Sequence, residues 1–321
     1  MARADDAARF PLPAARGEGR VPLRAGTKAR RISRSLTPYL YLIPFLALLV
    51  VFTYWPLAHT AWLSLVSWNL NPDAPMRFVG LDNFARLVRA SLFEAALANT
   101  ALYLAAALPL KVLAPLPVAV FLWTLGARGQ LFRTILFLPT LISFVAVSLA
   151  WMWILSPIGG YLQLVGQAVG VGVPGLLNNT ATALWAIVGI ASWKVFGLHV
   201  LFYLAGLTRI DRALVEAMRM DGAGDGAIFR HLIWPMLGPT TLFVTVSTTI
   251  YTIQQVFTPI DVLTQGGPAN ATTNLFYMTY QYGFVTFDVG ASAAATVLLF
   301  LLLLAVALLQ LRALERHVHY Q

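Results

Sequence analysis

Cysteine is absent from all 321 residues. Disulfides, thiolate metal sites and cysteine nucleophiles are therefore excluded, and the compartment is left open. Charge is scarce, at 11% Asp, Glu, Lys and Arg, against about 25% in soluble domains. Carboxylates are missing from the middle of every long apolar run; Asp261 and Asp288 stand at run ends. Proton-driven carriers commonly hold acids at membrane depth, so this lack argues against one. No Gly-x-x-x-x-Gly-Lys-Ser/Thr loop occurs, which excludes ATP binding and hydrolysis by that route. No His-Glu-x-x-His or comparable spacing occurs either. His59, His199 and His231 stand apart, and only His317 and His319 are close neighbours. No metal, cofactor or catalytic constellation is expected in this chain, so a polytopic enzyme is a weak reading.

What the chain has in quantity is hydrophobic residues, 59% of the total, with a mean hydropathy of +0.73. This composition predicts an all-α polytopic membrane protein. The net charge of +9 does not point to nucleic acid. Nine Lys/Arg are concentrated in residues 1–34, ahead of the first apolar run, with no aromatic-interleaved basic groove after them. That segment is expected to be a disordered basic cytoplasmic tail. Residues 35–321 then form the transmembrane domain.

Runs of roughly 20 apolar residues suffice for a span. They predict six: about Pro38–Trp62, Ala95–Leu125, Thr134–Leu155, Ala183–Leu207, Pro239–Ile260 and Val289–Leu311. Residues 63–94 read as an external loop with a short helix from Asp82 to about Val88. The Gly/Pro/Asn-rich segment from Ser156 to Thr182 divides spans 3 and 4. Leu263 to Asn270 is a turn-rich loop.

Six spans put both termini on one side. On that side lie nine Lys/Arg in the first tail, two in the 2–3 turn, four in the 4–5 loop and two in the last tail, seventeen in all. The opposite side has three, in the 1–2 loop. The positive-inside rule therefore predicts cytoplasmic termini and a cytoplasmic 4–5 loop.

That loop is the most charged stretch after Leu125. Within Asp211 to Pro235 it holds Asp211, Arg212, Glu216, Arg219, Asp221, Asp225 and Arg230. Asp211 is placed to cap a helix, with an Arg212–Glu216 i,i+4 pair on it. Gly222 is placed to stop it in a left-handed conformation. Asp225 is placed to cap a second short helix, whose ridge pairs Ile228 with Leu232 and Phe229 with Ile233. The expected product is helix, glycine hinge, helix. From these residues alone it is either a mere connection between spans or a surface for another chain.

Lys111 and Lys194 both fall near the middle of spans. Midplane cations usually face a cavity or a partner, which makes both candidates for the translocation path, where a phosphate-bearing solute would be favoured. Pairing with backbone carbonyls, or snorkelling, is the alternative for either.

Glu216-Ala217-Met218-x-x-Asp221-Gly222-Ala223, followed by Phe229, Ile233, Pro235 and Pro239, resembles the EAA loop of ABC-importer permeases. The third position is usually Ala there and is Met218 here. Gly80-Leu81-Asp82-Asn83-Phe84, Phe132-Arg133-x-x-x-Phe137-Leu138-Pro139 and Leu204-Ala205-Gly206-Leu207 look like the sugar-type, MalF-like (CUT1) branch. So does Leu263-Thr264-x-Gly266-Gly267-Pro268 with Thr272-Thr273. Pro259-Ile260-Asp261, Ala291-Ser292-Ala293-Ala294 and the C-terminal Glu315-x-x-Val318-x-Tyr320-Gln321 look most like the A-subunit family of the Ugp glycerol-3-phosphate importers. The likeness runs from about Pro38 to the end.

This resemblance implies the type I ABC-importer permease fold and a cell inner membrane, multi-pass location. It implies a coupling loop at 209–239 with Glu216, Ala217, Asp221, Gly222, Ala223, Ala227, Phe229 and Leu232 facing a cytoplasmic ATPase. It implies a second homologous permease subunit, two ATPase subunits carrying ATP and Mg, an extracytoplasmic solute-binding protein and surrounding membrane lipid, but no nucleic acid. The solute implied is glycerol-3-phosphate, a glycerophosphodiester or a sugar. The other reading is a stand-alone secondary carrier or channel for a small polar solute.

Overall fold

The computed structural model describes residues 41–315 apart from Pro72 and Ala74. The basic tail at 1–34 and the residues beyond Glu315 lie outside them. Two units are distinguished, Met1–Pro56 and Leu57–Gln321. The described part of the first is the N-terminal part of helix α1, Tyr41–Leu63. Everything below, apart from one turn of α1, concerns the second unit.

After α1 the chain makes a small antiparallel ribbon, β1 (Val66–Ser67) with β2 (Arg77–Phe78). Helix α2, Asp82–Arg89, follows. The buried Asn83 ties the two together, donating to the carbonyls of Ser64 at 2.8 Å and Val66 at 2.9 Å. Both residues are buried, so those bonds spare their carbonyls the cost of going unpaired.

Helix α3 (Ser91–Leu108) runs through a widened π-turn, Pro109–Leu113, into α4 (Pro115–Leu125). The N–H of Ala114 reaches back five residues to the carbonyl of Pro109 at 2.9 Å. The cause is local. Pro115 has no N–H, and its ring would strike the carbonyl four residues earlier; a wider turn moves that carbonyl away. The same arrangement recurs before Pro56, with Val50–Tyr54 in α1, and before Pro235, with Phe229–Ile233. Gly126, at φ +58°, ends α4. Its last carbonyls are capped from a distance: Arg133 Nη2 donates to Leu122 at 3.0 Å and Gly126 at 3.1 Å.

The expected third span, 134–155, is two helices. These are α5 (Gln130–Leu141) and α6 (Phe144–Ile154), separated by an extended Ile142. Pro139 removes a donor from the last turn of α5, and Ser143 caps α6 by accepting from the N–H of Ala146 at 3.2 Å. The segment 156–182 carries a further short helix, α7 (Tyr161–Ala168).

Helix α8, Ala183–Leu207, has the boundaries expected from the sequence and is the most buried span. It joins both large core clusters, with Ile187 in one and Val200, Tyr203 and Leu207 in the other. Its partner α5 lies very close. A Cβ added to Gly197 would stand 2.0 Å from the carbonyl oxygen of Leu136. Small residues permit such approach of membrane helices, whose packing rests on van der Waals contact rather than on water exclusion.

The polar hairpin comprises α9 (Arg212–Met220) and α10 (Asp225–Ile228), the latter continued by the widened turn Phe229–Ile233. Then comes α11, Gly238–Gln255, whose axis breaks at Val256 before α12, Phe257–Leu263; the expected fifth span is thus also two pieces. Helix α13 (Leu275–Tyr280) leads to the last helix, α14 (Val289–Glu315). Among the described residues four stretches are long and apolar enough to cross a membrane: Tyr41–Leu63, Ser91–Leu141 (interrupted at Gly126), Ala183–Leu207 and Val289–Ala313. The threonine-rich α11 is not among them.

Candidate functional site

Two sets of residues carry the candidate function, the hairpin after α8 and the polar groups buried between the widened turn Pro109–Leu113, α8 and α11. The hairpin begins where expected. Asp211 caps α9 by accepting from the N–H of Ala213 at 2.9 Å. The helix closes with two bonds that reach across Gly222. The N–H of Ala223 meets the carbonyl of Met218 at 2.9 Å, and that of Gly222 meets Arg219 at 3.0 Å. This is a Schellman closure, which needs a left-handed residue at the glycine; Gly222 is at φ +82°. Met218 and Ala223, on either side of the closure, both pack against the adjoining apolar cluster.

Two local expectations fail. Asp225 does not cap α10; Gly224 holds that position, and Asp225 pairs instead with Arg219 at 3.2 Å. Arg212 makes no ion pair with Glu216 among the described residues. Its guanidinium lies over the Trp123 ring, 5.9 Å from the centroid. The Arg-before-Glu order is the weaker one on a helix, and the ring offers an alternative on α4.

The hairpin has an inner and an outer face. Val215, Ile228 and Ile233 are buried in a cluster with Leu116, Ala119 and Leu122 of α4 and Val200 to Leu207 of α8. Glu216, Ala217, Asp221 and Gly222 are exposed, while Ala223, Ala227, Phe229 and Leu232 are half-buried. The loop is thus clamped to the ends of two spans and presents backbone and carboxylates outward. The expected pairing of Ile228 with Leu232 and Phe229 with Ile233 is altered by the widened turn. Ile228 and Ile233, five apart, are the two that point in.

Lys111 sits in the widened turn of the second span and is 1% exposed. Its Nζ donates to Gln255 Oε1 at 3.0 Å and Thr252 Oγ1 at 3.3 Å. Both partners are neutral and both come from the last turn of α11. One turn earlier on α11, Thr248 Oγ1 lies 3.1 Å from His199 Nε2. The ring's Nδ1 faces the Val195 carbonyl at 2.9 Å. A carbonyl accepts only, so Nδ1 carries the proton, and in the neutral ring Nε2 accepts from the threonine hydroxyl. The sequence reading missed His199, Thr248 and Thr252 as one group. The available signal was the run of threonines at 241, 245, 248, 249 and 252, a polar stripe at helical spacing.

Lys194 is elsewhere. Its Nζ donates to the Thr140 carbonyl at 3.1 Å and lies 4.4 Å from the centroid of the Phe144 ring. Thr140 Oγ1 returns a bond to the Lys194 carbonyl at 3.0 Å. This cation therefore satisfies the end of α5, where the break before α6 frees carbonyls and where the helix dipole favours positive charge. The two lysines are not brought together. Among the described residues no cluster of His, Asp and Glu has the geometry to hold a metal ion.

Residues 95–320 match the family model described as the binding-protein-dependent transport system inner membrane component. The chain belongs to this family. It is therefore an inner-membrane permease subunit of a binding-protein-dependent ABC importer, a non-enzymatic membrane component. A self-sufficient carrier does not fit a family that depends on a binding protein. The sn-glycerol-3-phosphate transport system permease protein UgpA of Yersinia pestis is 32% identical over 290 residues, spanning 90% of this chain and 97% of that protein. UgpA of Agrobacterium fabrum is 32% identical over 292 residues, spanning 89% and 97%. In three dimensions the chain resembles a subunit of a bacterial ABC transporter that imports the acidic polysaccharide alginate. The TM-score is 0.77 at 22% identity, covering 90% of this chain and 98% of that one. A second structure of an alginate transporter, in complex with its pentasaccharide-bound periplasmic protein, gives 0.78 at 21% identity. These likenesses carry the permease fold.

Proposed function

We propose that this permease subunit takes up glycerol-3-phosphate, a glycerophosphodiester or a sugar-type solute, and that the hairpin at 209–239 receives the stroke of a separate ATPase. The observation that supports this is the two-faced hairpin. Its inner face is locked onto α4 and α8, and its outer face leaves Glu216, Ala217, Asp221 and Gly222 free for another chain. A push on such an element is passed directly to the spans that hold it. The likeness to sn-glycerol-3-phosphate permeases supports the solute class.

In this reading both termini and the hairpin are cytoplasmic, six spans cross the membrane, and the permease domain spans 35–321. A second, homologous permease completes the path. Two ATPase chains hold ATP and Mg below, and an extracytoplasmic binding protein delivers solute above. ATP-driven closure moves the hairpins and opens the path outward; hydrolysis and release return it inward. The chain itself holds no cofactor and performs no covalent step. Lys111 is assigned to the path, with Gln255, Thr252, Thr248 and His199 as its polar surroundings. A buried ammonium with only neutral partners is costly, and an anionic solute passing beside it would offset that cost.

The test is co-purification. The permease with its ATPase is isolated as wild type, Gly222→Pro, and the pair Ala227→Glu and Leu232→Glu. The reading expects the ATPase to be lost in both altered forms while the permease stays monodisperse. Undiminished ATPase binding and undiminished ATP-driven uptake would overturn it. A screen of the cognate binding protein against the three solute classes then fixes the substrate.

A further inference from the structure

The short helix α7, Tyr161–Ala168, lies between the third and fourth expected spans, and its surface divides into three sectors. At about 100° per residue, Tyr161, Leu164, Val165 and Ala168 fall within one arc of about 100°. All four are exposed, the first three by 71%, 52% and 61%. Leu162 and Gly166 make the second sector, turned toward the protein. Leu162 packs on a cluster with Leu155, at the end of α6, and Ile190 of α8. A Cβ on Gly166 would stand 2.3 Å from Val173 Cγ2. Gln163 and Gln167 make the third sector, turned about 130° from the middle of the apolar arc.

The depth of this helix follows from what holds it. Helix α8 has 25 residues and is about 37 Å long, enough to cross a hydrocarbon layer of about 30 Å. The cluster that holds Leu162 also takes in Ala186 and Ile190, which stand about 5 and 10 Å inside the start of α8. Helix α7 is thus level with the first two turns of a span. Trp153 and Trp185, exposed on the adjoining ends of α6 and α8, are of the kind that settles at the membrane–water boundary. No Asp, Glu, Lys or Arg occurs from Thr134 to Trp193.

An apolar arc on one side, glutamines on another and a position at the end of a span fit a helix lying in the plane of the boundary. A partner arriving from water would find this arc below the surface it approaches. A subunit packed within the bilayer favours small residues at the contact, whereas Tyr161, Leu164 and Val165 dominate here. We propose that α7 is an in-plane membrane anchor, with Tyr161, Leu164, Val165 and Ala168 in the lipid and Gln167 toward water. The orientation proposed above enters only in naming the leaflet, the outer one. The insertion itself depends neither on that orientation nor on the solute or an ATPase.

The chain has no cysteine, so a single introduced thiol reports each sector. Full-length permease, purified with the subunits it assembles with, carries Leu164→Cys, Val165→Cys or Gln167→Cys, spin-labelled, in phosphatidylcholine vesicles. Power-saturation EPR compares access of oxygen, which concentrates in hydrocarbon, with access of a water-soluble nickel chelate. The oxygen-to-nickel ratio is expected to exceed one for the labels replacing Leu164 and Val165 and to fall below one for that replacing Gln167. Adding phosphatidylglycerol is expected to change none of the three, because α7 has no charge to attract it. Nickel access at all three positions makes the face a water-exposed surface and overturns the proposal. Labels in the apolar arc shielded from both reagents would mean that another chain, the second permease or the binding protein, covers it, and this too overturns the proposal. So does an oxygen preference at all three positions, or one that needs phosphatidylglycerol. Should a variant in the arc not stay monodisperse, Tyr161→Cys and Ala168→Cys sample the same arc by the same criteria.

Discussion

Lys194 and Thr140 are joined twice, by the lysine Nζ to the threonine carbonyl at 3.1 Å and by the threonine hydroxyl to the lysine carbonyl at 3.0 Å. A cation in the middle of a span is here the mortar between α8 and the frayed end of α5. Lys194→Met leaves the Thr140 carbonyl without its partner and removes the contact with Phe144. The expected cost is about 1–3 kcal/mol, the penalty for an unpaired buried acceptor, seen as a lowered unfolding temperature in detergent. Solute selectivity is expected to stay as in the wild type. An altered selectivity at unchanged stability would return Lys194 to the translocation path.

Lys111 is expected to behave in the opposite way. Lys111→Met removes a buried ammonium that has only neutral partners, which favours the folded state, and leaves Gln255 Oε1 without its donor, which costs about 1–3 kcal/mol. The two effects oppose each other, so unfolding is expected to shift less than in Lys194→Met, while uptake of an anionic solute falls. Binding-protein-stimulated ATP hydrolysis in proteoliposomes, followed alongside uptake, separates a lost solute contact from a lost fold. Full uptake by Lys111→Met would remove it from the path.

Gly222 offers a test of conformation free of crowding. No atom lies within 4 Å of where its Cβ would stand, yet φ is +82°. Substitution therefore costs only backbone energy, roughly 1–2 kcal/mol for an ordinary L-residue, and less for Asn. ATPase binding should decline in the order Gly, Asn, Ala, Val. A flat series measured by affinity capture would show that the hinge does not set the docking geometry.

Gly197 and Gly189 make a matched pair on α8. A Cβ at Gly197 meets the Leu136 backbone at 2.0 Å, whereas one at Gly189 has nothing within 4 Å. Gly197→Ala is expected to cost at least about 1–3 kcal/mol by overpacking, and Gly189→Ala nothing measurable. Equal unfolding temperatures for the two would contradict the close approach of α5 and α8.

The sequence made α8 legible because no proline or turn signal interrupts it: a largely apolar run begins after Thr182 and stops at Thr208, with Ser192, Lys194 and His199 as its few polar residues. It made the hinge legible because Gly222 is the first glycine after the amphipathic run of α9, placed where a left-handed residue closes a helix without strain. The break at Ile142 was less visible. Its signals, Pro139 and a capping Ser143, are buried in a run whose hydropathy never dips. The partners of Lys194 and Lys111 were out of reach for a different reason. They lie 54 and about 140 positions away, and no local period encodes a bond made by folding. Asp225 was misplaced by one position because Gly224, with no side chain to signal a cap, took that role.

The widened turn before Pro115 has a consequence for the whole second span. Along α3 the buried residues are Ala96, Thr100, Tyr103 and Ala107, in the widened turn they are Lys111 and Val112, and along α4 they include Leu116 and Ala119. From Ala107 the apolar stripe steps by five to Val112, past the buried Lys111, and then by four and three to Leu116 and Ala119. A regular helix with a step of five would have swung its stripe away from α8, on which both halves pack. The extra residue works as a phase correction: it re-aims the second half so that one continuous seam faces one neighbour. Removing a single residue between Pro109 and Leu113 would preserve the span's composition and very nearly its length, yet turn everything from Pro115 to Leu125 by about 100°, carrying Arg133's acceptors and the floor beneath the hairpin with it.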